Sequence, residues 1–208
     1  MVGIENFITF LISTLFFAMT PGMDTVFVLN KSIVQGKKSG VYASLGICTG
    51  VLVHTIFAAL GFSVLIAKST IAFSFIKYAG VAYLVYLGVM AIKNSSDIVS
   101  FDTQSLNQSK SKNDYWSGLV TNTLNPKVAL FFLAFFPQFI NPAHIENPIP
   151  FLFLGIAYAL ISIVWLLILV SFTSMFSLKI TSNLKANIWF NKVGGLVFIA
   201  MGVLIALN

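Results

Sequence analysis

Two residues of opposite charge lie inside long apolar runs of the chain. Asp24 comes shortly after a Thr-Pro-Gly sequence, and Lys127 comes directly after Asn-Pro. A charge at this depth in a membrane is costly, and such residues usually face a bundle interior or a water-filled cavity. A zwitterionic substrate could place its ammonium group on Asp24 and its carboxylate on Lys127. Alternatively, the two charges pair with each other and only hold two parts of the protein in register.

The prolines beside these charges are expected to interrupt their helices. Pro21 and Pro126 lack a backbone N–H, and each clashes with the carbonyl group four residues earlier. In lipid the freed carbonyl groups must find partners inside the protein or in cavity water. The alternative is a plain kink patched by the neighbouring threonine and asparagine. The predicted substrate-binding residues are Asp24, Lys127, Thr20, Pro21, Gly22, Asn122, Asn125 and Pro126.

The composition places the elements that carry these residues in a membrane. Hydrophobic residues make up 58% of the 208 residues and charged residues only 9%, whereas soluble domains carry roughly 25% charged residues. The mean hydropathy is +0.93. All 12 basic residues are lysines, and with 6 acidic residues the net charge is +6. We attribute this excess to orientation in the lipid bilayer, and nucleic acid is not an expected partner.

Six apolar stretches are long enough to cross a hydrocarbon core of about 30 Å, which requires about 20 residues in a helix. Their uniform apolarity does not fit the alternating pattern of a membrane β-barrel. We therefore predict an all-α integral membrane protein with six transmembrane helices in a single domain, residues 1–208. The predicted spans are 4–29, 41–67, 71–92, 115–140, 149–176 and 188–207, with polar connections that include 30–40 and 93–114.

The two halves of the chain show an internal repeat. A proline beside a polar residue interrupts the first and fourth spans, and a glycine pair at equal spacing recurs in the third and sixth. Repeats of three spans each, about 1–92 and 115–208, must enter the membrane in opposite senses. Such 3+3 inverted repeats are typical of secondary transporters, whose interrupted helices meet at the binding site. The alternative is that glycine and proline are simply frequent in membrane helices.

The lysines near the predicted membrane surfaces are unevenly divided between the two sides. The connections after spans one, three and five, with the start of span six, hold Lys31, Lys37, Lys38, Lys93, Lys110, Lys112, Lys179, Lys185 and Lys192. The opposite side holds only Lys68 and Lys77. The positive-inside rule then places both termini outside the cytoplasm.

Other residues in the spans indicate packing rather than chemistry. Gly46 and Gly50 form a small-xxx-small pair, which is a helix-packing surface. We expect His54 to be hydrogen-bonded to a neighbour rather than to relay protons, and most of the 21 phenylalanines to face lipid. Cys48 is the single cysteine, and no enzyme, metal-binding or phosphate-binding motif occurs. We expect neither catalysis nor a metal or cofactor.

These motifs resemble those of the LysE/RhtB-type amino-acid exporters. The segment from Thr20 to Asp24 is similar to that family's Thr-Pro-Gly-Pro-Asn/Asp motif, and residues 118–140 look like its second signature. Residues 46–54 and 77–88 are similar too. One departure is Met23, where the family usually has proline. We therefore expect a softer helix break beside Asp24.

The resemblance implies a multi-pass protein of the bacterial inner membrane that exports amino acids or close derivatives, such as homoserine, homoserine lactone, threonine or leucine. It also implies that protons drive export, and it assigns the site to the same eight residues. A divalent metal-cation exporter and a non-transporting membrane scaffold subunit are the alternatives. A single intramembrane carboxylate argues against the first, because hard cations bind several oxygen ligands. The glycine faces are compatible with a homo-oligomer.

Overall fold

The chain folds as a bundle of long helices. A computed structural model describes residues 3–20, 22–68, 70–93 and 111–179, together with short helical stretches between 188 and 206. In the described part no strand forms, apart from one antiparallel bridge between Ile4 and Ile140. The helices are α1 (Phe7–Met19), α2 (Met23–Gln35), α3 (Lys37–Lys68), α4 (Thr70–Lys93), α5 (Ser111–Thr123), α6 (Pro126–Phe135) and α7 (Pro148–Lys179), and short 3-10 helices cover Phe136–Phe139 and Pro142–His144.

Two of the apolar stretches are broken where the sequence predicts it. The axes of α1 and α2 meet at 52°, and those of α5 and α6, with its 3-10 extension, meet at 51°. The two bends are nearly equal, and the expectation that Met23 softens the first break relative to the family's double-proline motif stays a prediction. Thr20 and Gly22 both have extended backbone, so the first break does not need a second proline.

The length and apolarity of the described helices support a membrane protein and account for two to four of the six predicted spans. Within the described residues, Lys37–Gly61 and Pro148–Thr173 are each long and apolar enough to cross a membrane. The count rises to four if each bent pair is one span. Residues 94–110 lie outside the described part, as does much of the predicted sixth span. The six spans and the repeat therefore stay predictions.

The predicted connection 30–40 is wrong. α2 continues through these residues to Gln35, and a single residue, Gly36, separates it from α3. Gly36 has φ +90°, in the left-handed region that favours glycine, so the chain changes direction within one residue. Lys31, which we expected in a loop, is helical and buried.

Glycines bring α3 and α5 into backbone contact. A Cβ on Gly46 would collide with the main chain of Tyr115, and one on Gly118 would lie 2.5 Å from the carbonyl oxygen of Ala43. Gly50 faces the side chain of Asn122 at similarly close range. The predicted packing role of Gly46 and Gly50 is confirmed, and their partner is the helix that begins the second half of the chain.

Two apolar cores lie along the bundle. One, toward the end of the molecule that holds the Ile4–Ile140 bridge, is rich in aromatic rings. We call this end the Ile140 end. Its phenylalanine cluster consists of Phe10, Phe17, Phe131, Phe132, Phe135, Phe136, Phe139 and Phe151. These eight of the 21 phenylalanines do not face lipid, because lipid is as apolar as a protein core and packing decides which side a ring takes.

The second core lies toward the opposite end, which we call the Lys31 end. Its buried side chains are aliphatic or small and come from α2, α3 and α7. This aliphatic core consists of Val28, Ala43, Ile47, Cys48, Leu166, Leu169 and Val170. The two helix breaks lie between the aliphatic core and the phenylalanine cluster, so the groups that the breaks carry are enclosed by apolar packing on both sides.

Candidate functional site

Asp24 and two asparagines form one half of a polar layer between the cores. The Asp24 carboxylate accepts a hydrogen bond from Asn122 Nδ2 at 2.8 Å and another from Asn125 Nδ2 at 3.1 Å. Asp24 belongs to the first break and the asparagines to the second. Both carboxylate oxygens are therefore bound by amides from the other half of the chain, and this partly offsets the cost of burying the charge.

Lys127 forms the other half of the layer. Its ammonium group donates to the carbonyl oxygen of Thr20 at 3.2 Å and lies 4.6 Å from the centre of the Phe17 ring. A Cβ on Gly22 would be 3.2 Å from the Lys127 Nζ, so the absence of a side chain there leaves room for the lysine. The arrangement is reciprocal: the first break supplies a carbonyl to the lysine, and the second break supplies amides to the aspartate.

Both breaks point the start of a helix at this layer. Gly22 is the N-cap of α2, and Asn125 is the N-cap of α6, where its side chain accepts from the Lys127 backbone N–H at 3.0 Å. The N-terminal end of a helix carries partial positive charge. Asp24, in the first turn of α2, fits that rule, and Lys127, in the first turn of α6, does not. An anion between the two helix starts would be stabilised by both the dipoles and the lysine.

Pro126 leaves the Asn122 carbonyl group without its helical partner, as expected. That oxygen accepts from Asn125 N at 2.9 Å and from His54 Nε2 at 3.1 Å. The expected hydrogen bond of His54 to a neighbour is confirmed. A carbonyl oxygen only accepts, so Nε2 carries the proton in this contact. The histidine thus replaces the N–H that proline lacks.

A cavity adjoins the polar layer. Its volume is about 30 Å³, which is room for one or two water molecules and well below the roughly 300–1,000 Å³ of typical small-molecule sites, so a substrate could enter only if the lining moved apart. Polar groups from both breaks reach it together with one face of α7. Its lining consists of Phe17, Ala18, Thr20, Gly22, Asp24, Thr25, Ile47, Val51, Asn125, Lys127, Val128, Tyr158, Ser162, Trp165 and Leu166.

The predicted site residues take three different positions. Thr20, Gly22, Asp24, Asn125 and Lys127 line the cavity. Behind them, the side chain of the sixth residue, Asn122, is fully buried and supports the aspartate. The seventh, Pro126, is exposed and acts through the backbone by starting α6. The eighth, Pro21, lies outside the described residues.

Sequence reasoning missed the α7 wall of the cavity. Tyr158, Ser162 and Trp165 are spaced four and three residues apart, so they share one helix face. The hydroxyl groups of Tyr158 and Ser162 are hydrogen-bonded to each other. This spacing was the available signal, but three amphipathic side chains in an otherwise apolar helix are weak evidence from sequence alone.

Sequence reasoning also missed a buried ion pair at the Lys31 end. Lys31 Nζ lies 2.7 Å from Asp114 Oδ1, and the two side chains are 5% and 0% exposed. Ser39 Oγ donates to Asp114 Oδ2 at 2.7 Å. The pair joins the last turns of α2 to the first turn of α5. The sequence analysis did not predict this pair, because it placed both residues in polar connections between spans.

A different contact holds the Ile140 end. The Glu5 backbone N–H donates to the Phe139 carbonyl at 2.8 Å, and the Asn141 N–H donates to the Gly3 carbonyl at 2.9 Å. Asn141 Nδ2 also donates to Glu5 Oε1 at 2.7 Å. The segment before α1 is therefore paired with the chain that follows α6, which ties the two halves together at this end.

The fold and site define a helical membrane protein in which two broken helices meet at a buried polar layer. A family model described as LysE type translocator matches residues 15–208, and the chain belongs to this family of membrane transporters. It is a membrane protein, with two to four candidate membrane spans in the described residues.

Curated relatives cover nearly the whole chain. The uncharacterized membrane protein YrhP of Bacillus subtilis (strain 168) is 35% identical over 88% of this chain and 90% of its own length. An uncharacterized membrane protein of Vibrio cholerae serotype O1 is 29% identical over 99% and 98%. The leucine efflux protein of Enterobacter sp. (strain 638) is 31% identical over 98% and 96%. No solved structure matches the chain significantly.

Proposed function

We propose that this protein is a secondary transporter that exports amino acids or close derivatives across the inner membrane. The observation that carries the proposal is the polar layer, in which Asp24 and Lys127 lie partly buried between two cores and each is bound by the opposite half of the chain. A scaffold would need the charges only for register. The cavity beside them and the similarity to a relative named leucine efflux protein favour transport.

Substrate binding would use the two charges separately. The substrate ammonium takes the Asp24 carboxylate in place of the asparagine amides, which are neutral donors and weaker partners than a cation. The substrate carboxylate takes Lys127 and the N-terminal ends of α2 and α6. Apart from Asp24 and Lys127, no charged residue lines the described cavity. The arrangement therefore favours an amino acid whose side chain is neutral.

The proposed architecture is one domain of six spans in a 3+3 inverted repeat, with repeats 1–92 and 115–208. A bend of 52° supports counting α1 and α2 as one span, because a re-entrant loop must turn back on itself. The bend of 51° between α5 and α6 likewise supports counting these two helices as one span. Gly88 and Gly195 support the pairing of the third and sixth spans, because a Cβ on either would lie 2.6 Å from the other's carbonyl oxygen.

Export requires the site to open to each side in turn, and the proposed closing contacts differ. The Lys31–Asp114 pair closes one end, which the lysine distribution assigns to the cytoplasm. The phenylalanine cluster closes the other. Movement of one half against the other would break one set of contacts while the other stays formed.

We further propose that export is coupled to protons. Asp24 is the carboxylate that lines the described cavity, and the substrate ammonium and a proton would compete for it. A proton entering from outside would release the ammonium into the external medium. Export of one amino acid would then return one proton to the cytoplasm.

The test is transport by purified protein in proteoliposomes, with labelled leucine and threonine as probes and Mn²⁺ in parallel. We expect amino-acid flux that a pH gradient accelerates. Lys127→Met and Asp24→Asn should each reduce this flux at least tenfold, since each removes a charge-assisted contact worth about 1.5–3 kcal/mol.

The control for these variants is Lys37→Met, because Lys37 is an exposed lysine at the Lys31 end. It should leave the flux unchanged. Flux of Mn²⁺ without amino-acid flux would replace the proposal with a cation exporter. Full amino-acid flux in both site variants would remove the assignment of the site.

A further inference from the structure

The indole N–H of Trp165 is a buried donor without an acceptor. Its Nε1 atom is shielded from solvent, and no described group accepts a hydrogen bond from it. Tryptophan has a single polar hydrogen, and buried indoles usually find a partner for it. A buried donor without an acceptor loses its hydrogen bond to water and gains none in return, which destabilises the structure. The structure therefore contains an unfilled hydrogen-bonding position on α7.

The residue that carries this donor lines the cavity beside the polar layer and also borders a second, apolar cavity. Trp165 lines the first of these together with Asp24 and Lys127. On the same face of α7, the hydroxyls of Tyr158 and Ser162 are hydrogen-bonded to each other. The lining has other acceptors, which include the Asp24 carboxylate and the Thr20 and Thr25 hydroxyls, but none of them is bound to the indole. Since no described group accepts from the indole, a transported molecule or water that enters the cavity is the available source of an acceptor.

The chemistry of the substrate identifies the acceptor. An amino acid with an apolar side chain carries its acceptor atoms only on its carboxylate, because the ammonium group only donates. Lys127 neutralises that carboxylate but supplies a point charge with freely rotating donors. A fixed N–H at a second position would select the orientation of the carboxylate plane.

We propose that Trp165 is a substrate-binding residue whose indole N–H donates a hydrogen bond to the substrate carboxylate. This inference rests on the proposed function. The other proposed substrate contacts come from the two helix breaks. Trp165 adds a contact from α7, so a bound substrate would touch a third part of the bundle. The inference also predicts that every transported amino acid depends on Trp165 to a similar degree, whatever its side chain.

The experiment uses Trp165→Phe, which removes the donor and keeps an aromatic ring. KM and Vmax are measured in proteoliposomes for valine and threonine, which have nearly the same shape and differ by one side-chain hydroxyl. We expect KM to rise about tenfold or more for both amino acids with Vmax retained, in line with loss of a hydrogen bond to a charged group. Trp116→Phe is the matched control, because Trp116 is 62% exposed, and its KM should be unchanged.

Each outcome separates this inference from the proposed function. If wild-type protein carries none of leucine, valine and threonine, the proposed function fails. If wild-type flux is normal and Trp165→Phe leaves both KM values unchanged, water fills the indole position and only the inference fails. A rise in KM for threonine alone would assign the indole to the side-chain hydroxyl and overturn the carboxylate assignment. An equal fall in Vmax with unchanged KM would show a structural role instead.

Discussion

The two ends of the bundle are closed by different chemistry. At the Ile140 end, aromatic rings pack against one another: Phe10 meets the rings of Phe136 and Phe139 edge-on, with centroids 5.3 and 5.2 Å apart. At the Lys31 end the core is aliphatic, and a buried ion pair lies beyond it. The polar layer with the proposed site lies between the two.

This difference determines what opening each end would cost. Separating the aromatic rings exposes apolar surface and loses ring contacts worth about 0.5–1.5 kcal/mol per pair. Separating Lys31 from Asp114 also breaks a strong contact, but water that enters solvates both charges and offsets much of the loss. We therefore expect the Lys31 end to depend on one contact and the Ile140 end on many.

The strongest test of this comparison is Lys31→Met. The change leaves the Asp114 carboxylate buried without its cation, which typically costs about 3–5 kcal/mol. We expect a lower midpoint of thermal unfolding in detergent. We also expect faster maleimide labelling of Cys48, because this buried thiol belongs to the aliphatic core at the same end.

The double variant Lys31→Met/Asp114→Leu is the control for this prediction. Replacing both partners of a buried pair by apolar groups is often nearly neutral, so the double variant should recover most of the lost stability. Its Cys48 labelling should remain faster than in wild type if the pair also closes this end. Equal destabilisation in the single and double variants would show that the unpaired Asp114 charge is not the source of the loss.

A smaller effect is expected for Phe10→Leu in the phenylalanine cluster. The change keeps a large apolar side chain but removes the edge-on contacts to Phe136 and Phe139, which should cost about 1–3 kcal/mol. Ile47→Val in the aliphatic core is the comparison, at about 0.5–1.5 kcal/mol. Thermal unfolding measures both. Indistinguishable losses would mean that ring geometry adds nothing beyond apolar volume at the Ile140 end.

The smallest effect is expected for Glu5→Ala. It removes the exposed hydrogen bond from Asn141 but keeps the backbone pairing of the same segment, so the loss should be about 0.5–1 kcal/mol. Transport and unfolding should both stay close to wild type. A large loss of transport would mean that this side-chain contact, rather than the rings, holds the Ile140 end.

The sequence predicts the helix breaks and the charged pair because each carries a strong local signal. Proline removes a hydrogen bond wherever it stands in a helix, and a charge such as Asp24 or Lys127 is rare inside an apolar run. Neither signal depends on knowing the fold. The family resemblance rests on the same positions.

The contacts between distant residues could not be predicted in this way. Lys31 and Asp114 lie in polar segments, where a charge is ordinary, and only the packing of α2 against α5 shows that both are buried. The buried phenylalanines were misplaced for a related reason, since apolarity cannot distinguish a protein interior from lipid. Trp165 was missed because an unpaired donor is visible only when its surroundings are known.

Rotation of α2 about Gly36 would move the opposite end of that helix. The helix has 13 residues and is therefore about 20 Å long, and it is joined to α3 by Gly36 alone. A Cβ on Gly36 would meet nothing within 4 Å, so there is open space on that side of the connection. A rotation of about 10° at this joint would move the far end of α2 by about 3 Å, from the geometry of a helix this long. Asp24 lies at that far end, so a small tilt near the membrane surface would become a displacement as large as a hydrogen bond.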